Sequence, residues 1–195
     1  MISVKPTLVV LALVSICVCA ACGAGGAPTP TEPASAGGSS VSLSLASAEF
    51  RNGQSIPAKY TCDGLNVSVP LQWADPPASS KSYALILDDP DAPSGTFVHW
   101  VLYNVPASVH NLSENIPTDA TLPDGSMNGQ NGARRSGYTG PCPPSGTHHY
   151  HFKLYALDST LPLKPGATKD QLTAAMQGHI LAQAELIGTY QHGQK

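Results

Sequence analysis

Charge is scarce in this chain. Only 12% of its 195 residues are charged, and 13 acidic side chains against 10 basic ones leave a net charge of −3. So weak a balance gives no basic face with which to grip a phosphate backbone, which excludes nucleic acid as a partner. Long hydrophobic runs are equally scarce. One apolar run, Leu8–Val18, lies near the amino terminus, and no second run approaches the roughly 20 residues a membrane-spanning helix needs. The familiar catalytic signatures are missing too: no G-x-S-x-G elbow, H-E-x-x-H pair, phosphate-gripping Walker loop or dinucleotide fingerprint occurs. Neither a cofactor nor a resident metal is implied, and no residue is assigned as catalytic.

The amino terminus has a different character from the rest. Lys5 precedes the apolar run and the small residues Ala20 and Ala21 follow it, so residues 1–21 read as a signal peptide. Cys22–Gly23 comes next and looks like a bacterial lipobox, in which the cysteine becomes the lipid-carrying (palmitate-bearing) first residue of the mature protein. Cys19 departs from that pattern, which usually has an aliphatic residue there. Ordinary secretion, with Cys22 a free thiol, is the alternative. Residues 22–40, rich in Gly, Ala, Pro and Ser, cannot bury a core and read as a flexible stalk. The expected organisation is therefore a domain over 41–192 with a tail at 193–195, held on the bacterial cell membrane by lipid and facing outside the cytoplasm. In that compartment the two remaining cysteines, Cys62 and Cys142, are expected to form a disulfide. Two separate buried thiols are the other reading.

What the chain has in abundance is turn chemistry: 18 Gly and 18 Pro without a period argue for many short strands. Alternation marks strands at Val41–Ala46, Tyr83–Leu87, Phe97–Asn104, Tyr150–Leu157 and Ala184–Tyr190, with a further candidate at Val67–Trp73 interrupted by Pro70. Strict alternation along Phe97–Asn104 puts Phe97, His99, Val101 and Tyr103 on one face. Residues 105–136 form a long excursion of the kind that often lines a binding site. One helix is expected over Thr168–Gly178, opened by a Thr168/Gln171 capping box and able to run on to Ala182. Six to eight strands and one or two small helices make a mostly β sandwich.

Two stretches concentrate the chemistry. Residues 83–104, YALILDDPDAPSGTFVHWVLYN, place Asp88, Asp89 and Asp91 in a turn stiffened by Pro90, and His99 in the strand that returns. Aspartates of this kind are also ordinary turn caps, and an inward histidine is often a core residue. Residues 137–157 lead from a Gly140–Pro144 loop into a strand on which His148 and Tyr150 share the inward face, while His149 and His151 point away. Asp89, Asp91, His99, Gly140, His148 and Tyr150 thus become the candidate ligand-binding set. Imidazoles, a tyrosine hydroxyl and the loop amides of Gly140 and Cys142 suit a phosphate, sulfate or carboxylate oxygen. Asp89, His99 and His148 are acceptable metal ligands by type, but their spacing is not that of a metal motif.

These motifs carry a resemblance. YTCDG at 60–64, DDPDAP at 88–93, HWVLYNVP at 99–106, GYTGPCPPSGTHHYHFKLYALD at 137–158 and AMQGHIL at 175–181 resemble the phosphatidylethanolamine-binding protein family, in its bacterial Raf kinase inhibitor-like branch. The likeness spans about residues 43–192. It implies a β-sandwich with small flanking helices and a pocket for a small anionic ligand or a phospholipid headgroup, formed by Asp89, Asp91, His99, Gly140, His148 and Tyr150. One departure is Ser68-Val69-Pro70-Leu71, where the family often has S-P-P-L. The family name also suggests an alternative, a protein-partner inhibitor of a kinase or protease. A hydrolase using His99 with an aspartate is a third reading.

Overall fold

The computed structural model describes residues 42–193, which belong to one compact unit. The expectations for the signal peptide, Cys22, the stalk and residues 194–195 lie outside the described residues.

Eight strands and one α-helix occur among the described residues. In chain order these are β1 (Ser44–Ala46), β2 (Leu71–Ala74), β3 (Ser82–Asp89), β4 (Phe97–Pro106), β5 (Asn111–Leu112), β6 (Met127–Asn128), β7 (Thr147–Leu157), α1 (Lys169–Met176) and β8 (Ile180–Gln191), with a 3-10 turn at Ala58–Tyr60. A three-stranded sheet has the order β1-β2-β5 and a five-stranded sheet the order β6-β4-β3-β7-β8, with every strand pairing antiparallel. The mostly β expectation holds.

One core lies on the face of the large sheet that meets β1 and β2, built from Leu45, Trp73, Leu85, Leu87, Trp100, Leu102, Phe152 and Leu154 among others. A second core lies on the opposite face, where Ile86, Val101 and Tyr103 pack against Leu161, Leu172 and Met176. Covering on both faces explains why all eight residues of β3 are buried, where a one-sided sheet would alternate.

Several boundaries differ from those read in the sequence. Strand β2 begins only after Pro70, which cannot donate to a ladder. Strand β7 starts at Thr147, three residues earlier than expected. The capping box forms as expected, with the Thr168 hydroxyl accepting from the Gln171 N–H and the Gln171 side chain accepting from the Thr168 N–H. The helix does not run on to Ala182. It ends at Met176, Gly178 turns the chain at φ +80°, and Ile180 is already strand, because β8 gains a full ladder with β7.

Strict alternation also fails in β4. Leu87 pairs with Trp100 but Asp88 pairs with Val98, so His99 is an extra residue on its strand. A bulge of this kind turns the following side chains over. Trp100 and Leu102 therefore join the inter-sheet core, whereas Val101 and Tyr103 go to the helix side. His99 faces Phe97 and Tyr150 and does not share a face with Val101 and Tyr103.

The 105–136 excursion is ordered by buried asparagines. Asn128 accepts from the Trp100 indole N–H at 2.9 Å and donates to the carbonyls of Pro117 and Asp119. Asn131 donates to the Gly137 carbonyl and accepts from the amides of Ala133 and Arg135. Side-chain amides supplement the two short ladders this segment makes, β5 with β2 and β6 with β4.

Candidate anion-binding cavity

The end of β3, the turn after it, the start of β4, the 139–144 loop and the start of β7 converge on one cavity of about 270 Å³. Its walls include Asp89, Pro93, Phe97, His99, Thr139, Gly140, Cys142, Pro144 and His148. Four wall residues lie on strands, Asp89 on β3, Phe97 and His99 on β4 and His148 on β7, because adjacent antiparallel strands carry their ends to the same rim.

Asp89 is the hub. It is 3% exposed; one carboxylate oxygen accepts the Asp91 backbone N–H at 2.8 Å, and the other accepts from His148 Nδ1 at 2.7 Å. The first bond closes the turn around Pro90 and the second orients the imidazole. His148 is 7% exposed and His99 4%. His99 Nδ1 donates to the Thr139 carbonyl at 2.8 Å, which can only accept, so this nitrogen carries the hydrogen. In both rings Nδ1 is committed to the protein, leaving Nε2 as the nitrogen for a ligand. Burial holds the His99 pKa below its ordinary 6.5, against the Thr139 carbonyl and the Asp89 charge, so the ring is neutral near pH 7.

Tyr150 lies edge-on to His99, with ring centres 5.2 Å apart, and is wholly buried. Among the described residues its hydroxyl has no completed hydrogen bond, and the Cys142 backbone N–H is its neighbouring donor. Burial first, then the charges of Asp89 and Asp91, push its pKa far up, so it remains an O–H donor. Tyr150 stands behind the cavity wall and does not form part of it. Asp91 is also outside the wall: its carboxylate accepts from the N–H and the ring of His149, and those bonds hold its pKa down. The structure thus gathers Asp89, His99, Gly140 and His148 on one cavity, with Tyr150 behind and Asp91 at the rim.

Gly140 acts through its shape. Its N–H is not available to a ligand, because it donates to the Asn66 side-chain oxygen at 2.7 Å. A Cβ there would lie 2.4 Å from the Tyr60 carbonyl oxygen, so only glycine allows the loop to lie against the 60–66 segment. The same two segments are joined by a Cys62–Cys142 disulfide with a Cα–Cα distance of 5.4 Å. Both cysteines are exposed, which rules out the alternative of separate buried thiols.

Sequence reasoning passed over Asn66, Thr139, Phe97 and the 92–95 turn. Phe97 was findable, since a short hairpin from Asp89 must set the two opposite each other, and they do pair. Nothing local marks Thr139 or Asn66. The 105–136 excursion supplies no residue to the cavity wall; it supports it from behind, where Gly132 lies against the Phe97 ring. The altered Ser68–Leu71 segment likewise stays off the wall. A larger groove of about 390 Å³ lies beside Lys153, Tyr155 and Glu185. Its charged groups are already committed, Lys153 to Asp88 and Glu185 to His151, so the smaller cavity is the better candidate.

Comparison with known proteins points the same way. The sequence pattern of the family described as phosphatidylethanolamine-binding protein matches residues 46–191. A UPF0098 protein of Methanothermobacter thermautotrophicus is 53% identical over 144 residues, covering 74% of this chain and 95% of that one. A UPF0098 protein of Pyrococcus abyssi is 48% identical over 149 residues, covering 74% of this chain and 83% of its own. Among solved structures, a phosphatidylethanolamine-binding protein homologue of Chlamydia trachomatis superposes with a TM-score of 0.72 at 43% identity, covering 78% of this chain and 99% of that one. YbcL of Escherichia coli, described as a member of the mammalian family, gives 0.71 at 31% identity, with 76% and 98% covered. Matching motifs, matching sheets and a match over most of each partner's length have one meaning: this chain belongs to the phosphatidylethanolamine-binding protein family.

Proposed function

We propose that this chain is a lipid-anchored binding protein, attached through Cys22 to the bacterial cell membrane and facing outside the cytoplasm. Its cavity takes a small ligand bearing a phosphate or carboxylate group, a phospholipid headgroup among them. The observation that carries this reading is the placing of two buried imidazoles, one oriented by a buried aspartate, on a single cavity of about 270 Å³. Asp89 orients His148, His99 and His148 offer Nε2, Gly140 lets the floor close, the Tyr150 hydroxyl is a donor in reserve, and Asp91 fixes the rim. Binding, with no turnover of the ligand, is the proposed activity.

The protonation pattern makes the reading specific. Among the described residues no Lys or Arg lines the cavity, and neutral His99 presents a lone pair at Nε2. An anion therefore binds together with a proton, placed either on an imidazole or on the ligand's own oxygen. Titration calorimetry of the full chain against acetate, inorganic phosphate and phosphoethanolamine, in buffers of different ionisation enthalpy, tests this. Affinity should rise as pH falls from about 8 to about 6, with proton uptake on binding. Undiminished affinity in a His99→Ala, His148→Ala double variant would remove the site assignment.

A further inference from the structure

The disulfide does more than join two loops: it forms part of the cavity wall on one side and meets an imidazole on the other. Cys142 lines the cavity, whereas Cys62 does not. Cys62 Sγ lies 3.6 Å from His192 Nδ1. That nitrogen is also 2.9 Å from Asp63 Oδ1. A disulfide sulfur carries no hydrogen, so the His192 N–H is shared between the Asp63 carboxylate and Cys62 Sγ. Asp63 is itself held, accepting at its other oxygen from the Tyr190 hydroxyl at 2.6 Å and the Gly193 N–H at 2.8 Å.

We propose that this cavity is a thiol–disulfide exchange site for small anionic thiols, in which the bound thiol attacks Cys142 Sγ and expels Cys62. The inference rests on the anion-cavity reading, which supplies the reason for an acidic group on the thiol. His148 receives the acidic group, because its Nδ1 is held by the Asp89 carboxylate and its Nε2 is left for a ligand. His99, neutral and with its Nδ1 hydrogen committed to Thr139, takes the thiol proton at Nε2. The thiolate then bonds to Cys142 Sγ, the Cys142–Cys62 bond breaks, and its electron pair leaves on Cys62 Sγ. The His192 N–H donates a hydrogen bond to that thiolate, which takes its proton from solvent, and solvent removes the proton from His99. One disulfide replaces another with no net oxidation, giving a mixed disulfide at Cys142 and a free Cys62 thiol. Exchange rates depend on which sulfur is attacked and on how well the leaving thiolate is stabilised. Both cysteines are exposed, and the cavity at Cys142 and the imidazole at Cys62 divide the two roles.

The experiment treats the full chain with mercaptoacetate or with neutral 2-mercaptoethanol, quenches with acid, alkylates free thiols and maps the products by peptide mass spectrometry. Rates are compared per thiolate present. The expected result is a mercaptoacetate adduct at Cys142 with alkylation at Cys62, formed about tenfold faster than the 2-mercaptoethanol adduct. His192→Gln should slow formation of the adduct roughly three- to tenfold. That exposed substitution should leave binding of methylthioacetate, the S-blocked analogue, unchanged by calorimetry. Adduct at Cys62, equal rates for the two thiols, or no effect of His192→Gln overturns the proposal. If methylthioacetate binds but mercaptoacetate forms no adduct, exchange fails and the anion cavity stands. If methylthioacetate does not bind, the anion reading itself fails and this inference goes with it.

Discussion

Asp88 and Asp89 are neighbours in β3 and their carboxylates point to opposite faces of the sheet. Asp89 turns to the cavity and holds His148, while Asp88 turns to the helix side and meets Lys153 at 2.9 Å together with the Lys169 ammonium. One strand end thereby places a carboxylate in the site and a second in the ion cluster that ties α1 and β7 to it.

Burial raises the Asp88 pKa, but the hydrogen bonds and charges of Lys169 and Lys153 outweigh it and the net position is below 3.8. A carboxylate with a depressed folded pKa adds stability that is complete above its unfolded value and lost as pH falls through the folded one. Asp88→Asn should cost about 2–3 kcal/mol at neutral pH. The deficit should shrink below roughly pH 4. Urea unfolding at pH 7 and pH 3 measures both.

His99 has the opposite sign. Its folded pKa lies below 6.5 because burial disfavours the imidazolium. The unfolded chain then binds more protons as pH falls below that value, so His99 lowers stability on acidification. His99→Phe keeps an aromatic ring between Phe97 and Tyr150 and should flatten the fall in stability between about pH 7 and pH 5. It should also reduce acetate affinity at least about tenfold. Thermal unfolding across pH, set beside calorimetry, separates the two effects.

Gly140→Ala brings a methyl group to 2.4 Å from the Tyr60 carbonyl oxygen and 2.7 Å from the Asn66 oxygen that accepts the residue's own N–H. Backbone on one side leaves little room to yield. The substitution should destabilise the domain by about 1–3 kcal/mol and displace the cavity floor. Anion affinity should fall with it, whereas Gly146→Ala, with open space around its Cβ, should affect only the local turn.

The Cys62–Cys142 disulfide closes a loop with a sequence separation of 80. On the chain-entropy argument a loop of that size is worth roughly 4–5 kcal/mol. Replacing both cysteines by serine should lower the urea midpoint accordingly, with the slope of the transition increasing as the denatured chain expands.

Local regularities were legible from residues alone: the apolar run of β3, the period of two in β7, the capping box before α1, and the turn chemistry around Pro90. The inward placing of His148 and Tyr150 followed from alternation, and the strand count pointed to the mostly β sandwich that the family resemblance also implied. These are short-range properties, set by backbone geometry and by residues a few positions apart. Tertiary structure decided the rest. The bulge at His99 comes from pairing with β3, which no property of β4 by itself reveals. It also turned Asp88 toward two lysines at 65 and 81 positions' distance, gave the Gly140 N–H to Asn66, left Tyr150 behind the wall, and set His192 against Cys62. A buried polar group must find its partner wherever the folded chain happens to bring one, so these pairings depend on the packed whole and not on the order of residues.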